Sequence, residues 1–115
     1  MNEIEKKTEE LAKLLRQSPE YEAYRAASDA AMSEPATKAL LTDYRKLQLK
    51  LQAAELSGSV DEAELMKLQK LGELLQLSPV SSEYLFAEYR LNALLGKVYK
   101  TLAGAVDADI SMIDE

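Results

Sequence analysis

Carboxylates are the most abundant side chains of this sequence that could do chemistry. Closely spaced acids are candidate general acids and bases, or ligands of Mg²⁺. The pairs are Glu9 and Glu10, Glu20 and Glu22, Glu62 and Glu64, and Glu83 and Glu88. No nucleophile motif or phosphate-binding loop accompanies them, and acids near helix starts are already explained by the helix dipole. We therefore expect no catalytic residue among them.

Histidine and cysteine are both absent from the 115 residues. Histidine is the usual general base near neutral pH and the commonest metal ligand, while zinc and iron–sulfur sites are built largely from cysteine and histidine. The composition predicts a protein without catalytic activity, cofactor or metal that acts by contact. The alternative is a cytoplasmic enzyme or small-molecule binder that uses carboxylates alone.

Six tyrosines are the remaining candidates for a binding site, because aromatic rings can stack on a ligand. A tyrosine at helical spacing more often packs its ring in the core and directs its hydroxyl to the edge. We therefore interpret the six as packing residues. They are Tyr21, Tyr24, Tyr44, Tyr84, Tyr89 and Tyr99.

The net charge of −6 opposes binding to a phosphate backbone. Arg45, Lys46 and Lys50 form a small basic cluster, but Asp43 and Glu55 flank it, which is typical of a solvated helix face. We expect no direct contact with nucleic acid. No run approaches the roughly 18 apolar residues of a membrane helix, and the first residues lack a signal-peptide pattern. The sequence predicts a cytoplasmic protein that does not insert into membranes.

Apolar residues recur at spacings of three and four almost throughout, which predicts an all-α fold of five helices. The Ser18-Pro19 and Ser78-Pro79 pairs each mark a helix start, as does Pro35 after Ser33 and Glu34. The first helix is expected over 2–16, the second to about residue 32, and the fifth to about residue 103. We predict a single helical domain over 1–105 and an acidic, flexible tail over 106–115.

The third and fourth helices are predicted to form a long antiparallel hairpin. Gly58 is suited to the left-handed turn that ends a helix, and Asp61 to capping the next one. So short a connection makes the two helices fold back on each other.

Two apolar seams are the candidate core or interface, one in the third helix and one in the fifth. Their residues are Leu40, Tyr44, Leu47, Leu51 and Ala54, followed by Tyr84, Leu91, Leu95 and Val98. Further leucines fall off the main stripes: Leu41, Leu49, Leu74, Leu77 and Leu94. Because a thin hairpin cannot cover leucines on all sides, we expect a homo-oligomer, a dimer or higher. A monomer with a wide core is the alternative.

The sequence resembles the YlbF/YmcA family of small helical bacterial proteins over most of its length. The resemblance is carried by helix caps, turns and apolar positions in each part of the chain. They are Leu11-Ala12 with Leu15; Ser18-Pro19-Glu20-Tyr21, Tyr24 and Ala27; Leu40, Tyr44, Leu47-Gln48 and Gln52 ahead of Gly58; and Pro79-Val80, Tyr84, Ala87 and Leu94-Leu95 to Val98. None of these is a catalytic signature, so the pattern identifies a fold more firmly than an activity.

The resemblance implies a self-associating helical regulator or adaptor. Better known relatives act in hetero-complexes of related helical proteins that promote competence, sporulation and biofilm formation and adjust messenger-RNA processing by ribonuclease Y. Some relatives are linked to iron–sulfur clusters through cysteines. This chain has no cysteine, so its own side chains cannot hold such a cluster.

A second family, of secreted helical hairpins with Trp-x-Gly at the tip, is the remaining alternative. Leu56-Ser57-Gly58 occupies the equivalent place, and Tyr84 to Glu88 has the spacing of that family's export signal. The chain lacks tryptophan, and its Ser-Pro breaks predict five helices where that family has two. Both features oppose the assignment.

Overall fold

The computed structural model describes residues 2–107, which form five α-helices and no strand. The helices are α1 (Glu3–Arg16), α2 (Pro19–Met32), α3 (Pro35–Ser57), α4 (Glu62–Leu77) and α5 (Pro79–Ala105). The predicted all-α fold of five helices is confirmed. Val106 and Asp107 follow α5 in a turn, and the rest of the predicted acidic tail lies outside the described residues.

Side-chain oxygens cap the starts of three helices, where backbone N–H groups have no partner within the helix. Asn2 Oδ1 accepts from the N–H of Glu5 at 2.8 Å, and Asp61 Oδ1 accepts from the N–H of Ala63 at 2.9 Å. At the break between α1 and α2, Ser18 Oγ accepts from the N–H of Tyr21 at 3.1 Å and donates to the carbonyl of Leu15 at 2.7 Å. One hydroxyl thus joins the end of α1 to the start of α2.

Replacing Ser18 by alanine is expected to lower the free energy of unfolding by about 1 kcal/mol, because the N–H of Tyr21 loses its capping partner. Chemical denaturation followed by circular dichroism measures the change. Ser59→Ala, in the exposed turn after α3, is the matched control and should change stability by less than about 0.5 kcal/mol. Equal effects of the two substitutions would contradict a capping role for Ser18.

The turn between α3 and α4 depends on one glycine. Gly58 has φ 73° and ψ 19°, a left-handed conformation that costs glycine little. The N–H of Ser59 donates to the carbonyl of Ala54 at 2.9 Å, which closes the last turn of α3. Asp61 starts α4 three residues after Gly58, so α4 returns along α3. The sequence-based expectations for Gly58 and Asp61 are confirmed.

A buried serine connects α4 to α5. Ser81, in the first turn of α5, donates its hydroxyl proton to the carbonyl of Leu75 near the end of α4. The carbonyls of a helix's last turn lack partners within the helix, and Ser81 satisfies one of them away from water. The predicted break at Ser78-Pro79 is therefore present, and the Ser81 hydroxyl links its two sides.

The described residues divide into two compact units, both helical. One comprises the described parts of Met1–Ala26 and Phe86–Glu115, and the other is Ala27–Leu85. The boundary falls within α2 and within α5, so each of these helices contributes to both units. Most of the buried residues belong to the second unit, whereas Ala87 and Ala103 are buried in the first.

Candidate interaction surfaces

The hairpin of α3 and α4 has a narrow apolar interior. Leu47 and Leu51 of α3 and Leu75 of α4 are buried. The ring of Tyr44 packs over Gly72 of α4, where a Cβ atom would lie 3.5 Å from Tyr44 Cε1. A Cβ at this distance would be in ordinary van der Waals contact, so the ring of Tyr44 lies directly against the surface of α4.

The residues of the two predicted seams fall into three groups. Leu47, Leu51 and Tyr84 are buried. Those that are partly covered are Leu40, Tyr44, Ala54, Leu91 and Val98. Leu95 is exposed. Within a single chain the α3 seam is therefore buried or partly covered throughout, whereas the α5 seam also contains the exposed Leu95.

Leu41 differs from the sequence-based expectation. It was assigned to the off-stripe leucines, but only 5% of it is exposed, while Leu40 beside it is partly covered. Leu41 lines an open groove in the second unit together with Met32 and Tyr84. The buried face at the start of α3 is thus displaced by one residue from the seam that continues through Leu47 and Leu51.

An exposed apolar stripe runs along the C-terminal half of α5. We call its four residues, Leu95, Tyr99, Leu102 and Val106, the α5 stripe. Leu95, Tyr99 and Leu102 follow each other at spacings of four and three, so they share one side of α5, and Val106 continues the spacing in the turn after the helix. Their exposed fractions run from 42% for Leu95 to 74% for Val106. Such a heptad pattern usually packs against another helix, yet here it faces solvent.

The outer surface of the hairpin exposes further apolar side chains. On α3, Leu49 and Leu56 stand seven residues apart on one side, and both are exposed. On α4 the exposed apolar residues are Leu65, Met66, Leu74 and Leu77. Three of the leucines predicted to fall off the main stripes, Leu49, Leu74 and Leu77, are therefore uncovered in the single chain.

Two of the candidate acid pairs lie at helix starts. Glu20 and Glu22 lie in the first turn of α2, and Glu62 and Glu64 in the first turn of α4, where the helix dipole favours negative charge. Glu64 also pairs with Lys50 across the hairpin, with 2.9 Å between Nζ and Oε1. These positions give the carboxylates structural roles.

The tyrosines occupy several kinds of position within the two units. Tyr44, Tyr84 and Tyr89 line three different grooves, and Tyr99 lies on the exposed α5 stripe. The hydroxyl of Tyr21 accepts from Arg25 Nη1 at 3.3 Å on the surface of α2.

A lysine-rimmed groove crosses the hairpin, and sequence reasoning found only part of it. Lys46 and Lys50 of α3 and Lys67 of α4 line it, with Leu47 and Leu71 between them. The sequence marked the α3 lysines as a solvated face. Lys67 joins them because the short turn at Gly58 folds α4 back along α3, which also brings Glu64 to within 2.9 Å of Lys50. Asp43 is the acid that lines the same groove.

Two further features are absent from residues 2–107. No helix among them is long and apolar enough to cross a membrane. Within residues 2–107, no three or more acidic side chains cluster as a metal site would require.

Comparison with known proteins relates the chain to one family. The family model described as "Control of competence regulator ComK, YlbF/YmcA" matches residues 4–107. A UPF0342 protein from Halothermothrix orenii is 34% identical over 103 residues, which cover 89% of this chain and 87% of that protein. A UPF0342 protein from Symbiobacterium thermophilum is 36% identical over 101 residues, covering 87% and 90%.

A solved structure has the same helical fold. The crystal structure of Bacillus subtilis RicA in complex with RicF is similar to this chain, with a TM-score of 0.61 and 18% sequence identity. The similarity covers 90% of this chain and 93% of the matched chain. At this level of identity, the similarity supports the fold and leaves the surfaces to be interpreted from this chain's own residues.

Proposed function

The chain belongs to the YlbF/YmcA family, and from this premise we propose that it is a cytoplasmic, non-enzymatic adaptor that associates with a second copy of itself. The observation that carries the proposal is the α5 stripe. Burying an exposed leucine side chain completely contributes about 1.5–3 kcal/mol, so a second helix placed on the stripe stabilises the pair substantially. Heptad spacing is the pattern by which helices pack side by side.

The exposed leucines of the hairpin support a second contact region on the same molecule. An adaptor needs one surface for its own assembly and another for its client. Leu49 and Leu56 on α3, with Met66 and Leu77 on α4, supply apolar anchors away from the α5 stripe along the chain. A polar rim around such anchors is typical of protein interfaces.

The biological process proposed for this adaptor follows from its family. RicA of Bacillus subtilis was crystallised in complex with RicF, so a protein of this fold engages another protein. We propose that the present chain likewise joins a related helical regulator in a hetero-complex. Competence, sporulation, biofilm formation and ribonuclease Y-dependent messenger-RNA processing are the processes in which we expect it to act.

Light scattering over a concentration series tests the central part of the proposal. The full chain should have at least the mass of a dimer at micromolar concentration and should dissociate on dilution, since the stripe is covered only by association. A chain that stays monomeric throughout the series contradicts the proposal. Turnover of a metabolite by the purified chain would contradict its non-enzymatic part.

A further inference from the structure

Basic and acidic residues are distributed unevenly along the hairpin of α3 and α4. Residues 44–54 of α3 and 65–72 of α4 together contain five of the chain's 14 basic residues and none of its 20 acidic residues. The five are Arg45, Lys46, Lys50, Lys67 and Lys70. In a chain of net charge −6, acids stand at the ends of both stretches of this basic band in the sequence, namely Asp43, Glu55, Glu64 and Glu73.

The lysine-rimmed groove is lined by residues of this band and by Asp43 next to it, and it offers two kinds of contact. Leu47 and Leu71 give it an apolar floor, while Lys46, Lys50 and Lys67 form its rim. The aliphatic stems of lysines cover apolar atoms while their ammonium groups stay in water. A matching occupant therefore combines apolar side chains with several carboxylates in a short segment.

One segment of this sequence has that composition. Residues 107–115 read Asp-Ala-Asp-Ile-Ser-Met-Ile-Asp-Glu, with four acids, no base and three large apolar residues. We propose that this segment of one copy binds in the lysine-rimmed groove of a second copy. The inference rests on the proposed self-association and names the groove and the segment that meet in it.

Charge complementarity selects this occupant over a nucleic acid. The segment's four acids match the rim lysines Lys46 and Lys67, while Lys50 is already paired with Glu64 and Asp43 is the one acid in the lining. Ile110, Met112 and Ile113 supply apolar atoms for Leu47 and Leu71. A phosphate backbone would satisfy the lysines but would leave the leucine floor unused, and the overall charge of −6 repels it. An acidic, apolar peptide uses both features of the groove.

Reciprocal charge reversal in the full-length chain tests the proposal. The groove variant carries Lys46→Glu with Lys67→Glu, and the segment variant carries Asp109→Lys with Asp114→Lys. Each alone places like charges in groove and segment, so we expect its dissociation constant for self-association to rise about tenfold at low salt. Equimolar mixing of the two variants should restore pairing, since both groove–segment contacts are then complementary. Sedimentation velocity measures self-association of the groove variant, of the segment variant and of their equimolar mixture.

A matched control reverses two lysines far from the groove in the sequence. Lys6→Glu with Lys13→Glu changes the net charge of the chain as much as the groove variant does, on exposed positions of α1, and should leave the dissociation constant within about twofold of the original. Helix content by circular dichroism checks that every variant is folded.

Each other outcome overturns the assignment. If the unmodified chain associates and both variants associate equally well, the groove and segment do not meet, while the proposed adaptor function stands. If mixing the two variants does not restore pairing, but a single chain that carries all four substitutions does pair, the segment binds within its own copy. If the groove variant loses binding of a single-stranded RNA but associates normally, the groove serves nucleic acid. A monomeric unmodified chain overturns both this inference and the adaptor proposal.

Discussion

Replacing Leu75 by alanine is expected to lower the free energy of unfolding by about 2–5 kcal/mol. None of this side chain is exposed, and it lies in α4 where the hairpin interior meets the start of α5. Truncation removes apolar contacts and leaves a cavity that rigid neighbouring helices fill only partly. Denaturant unfolding followed by circular dichroism measures the change. The slope of the unfolding free energy against denaturant concentration is expected to stay the same, because the substitution alters stability and not the surface exposed on unfolding.

Leu74→Ala is the matched control, because it makes the same chemical change at the neighbouring residue of the same helix. Leu74 is 51% exposed, so we expect a loss below about 1 kcal/mol. Both variants should be measured at two protein concentrations, since a contribution from association depends on concentration and one from the core does not. A loss at Leu75 no larger than that at Leu74 would show that the buried face of α4 is assigned incorrectly.

The contrast between these adjacent leucines illustrates which features a sequence specifies by itself. Helix limits were predictable because their signals act locally: a proline restricts its predecessor, a glycine adopts the left-handed turn, and an oxygen caps the next N–H. Ser18-Pro19, Gly58, Asp61 and Pro79 each act within a few residues. The structure therefore has its breaks where the sequence predicts them.

Burial was predicted less well, because it depends on which helices approach from elsewhere in the chain. In α5, apolar residues occupy several sides, and the sequence could not distinguish a side covered within the chain from one left exposed. Leu91 and Val98 are partly covered, whereas Leu95 of the same predicted seam is exposed. The spacing shows which residues of α5 share a side of the helix, but it does not show which of those sides another helix covers.

The lysine-rimmed groove shows the same limit for a candidate site. Lys46 and Lys50 are one helical turn apart in sequence, so their proximity was predictable. Lys67 lies in the same groove only because of the register in which α4 packs against α3. The residues of the turn predict that α4 folds back, but they do not predict this register. The site thus needed a tertiary relationship that local patterns do not carry.

The second large effect is expected on association. Glutamate at both Tyr99 and Leu102 should raise the dissociation constant for self-association by at least about 100-fold, because two charges would be buried without partners in the contact. Folding of the single chain should be preserved, since 52% of Tyr99 and 59% of Leu102 are exposed. Sedimentation velocity over a concentration series measures the association, and circular dichroism checks helix content.

Thr101→Glu with Gly104→Glu provides the matched control, since it adds the same charge to the same stretch of α5 but away from the α5 stripe. Both positions are exposed, and a Cβ atom at Gly104 meets no atom within 4 Å. We expect this control to associate like the unmodified chain. If it dissociates as readily as the stripe variant, added charge alone is responsible. If the stripe variant associates normally, the contact lies elsewhere, and the exposed leucines of the hairpin become the surface to test.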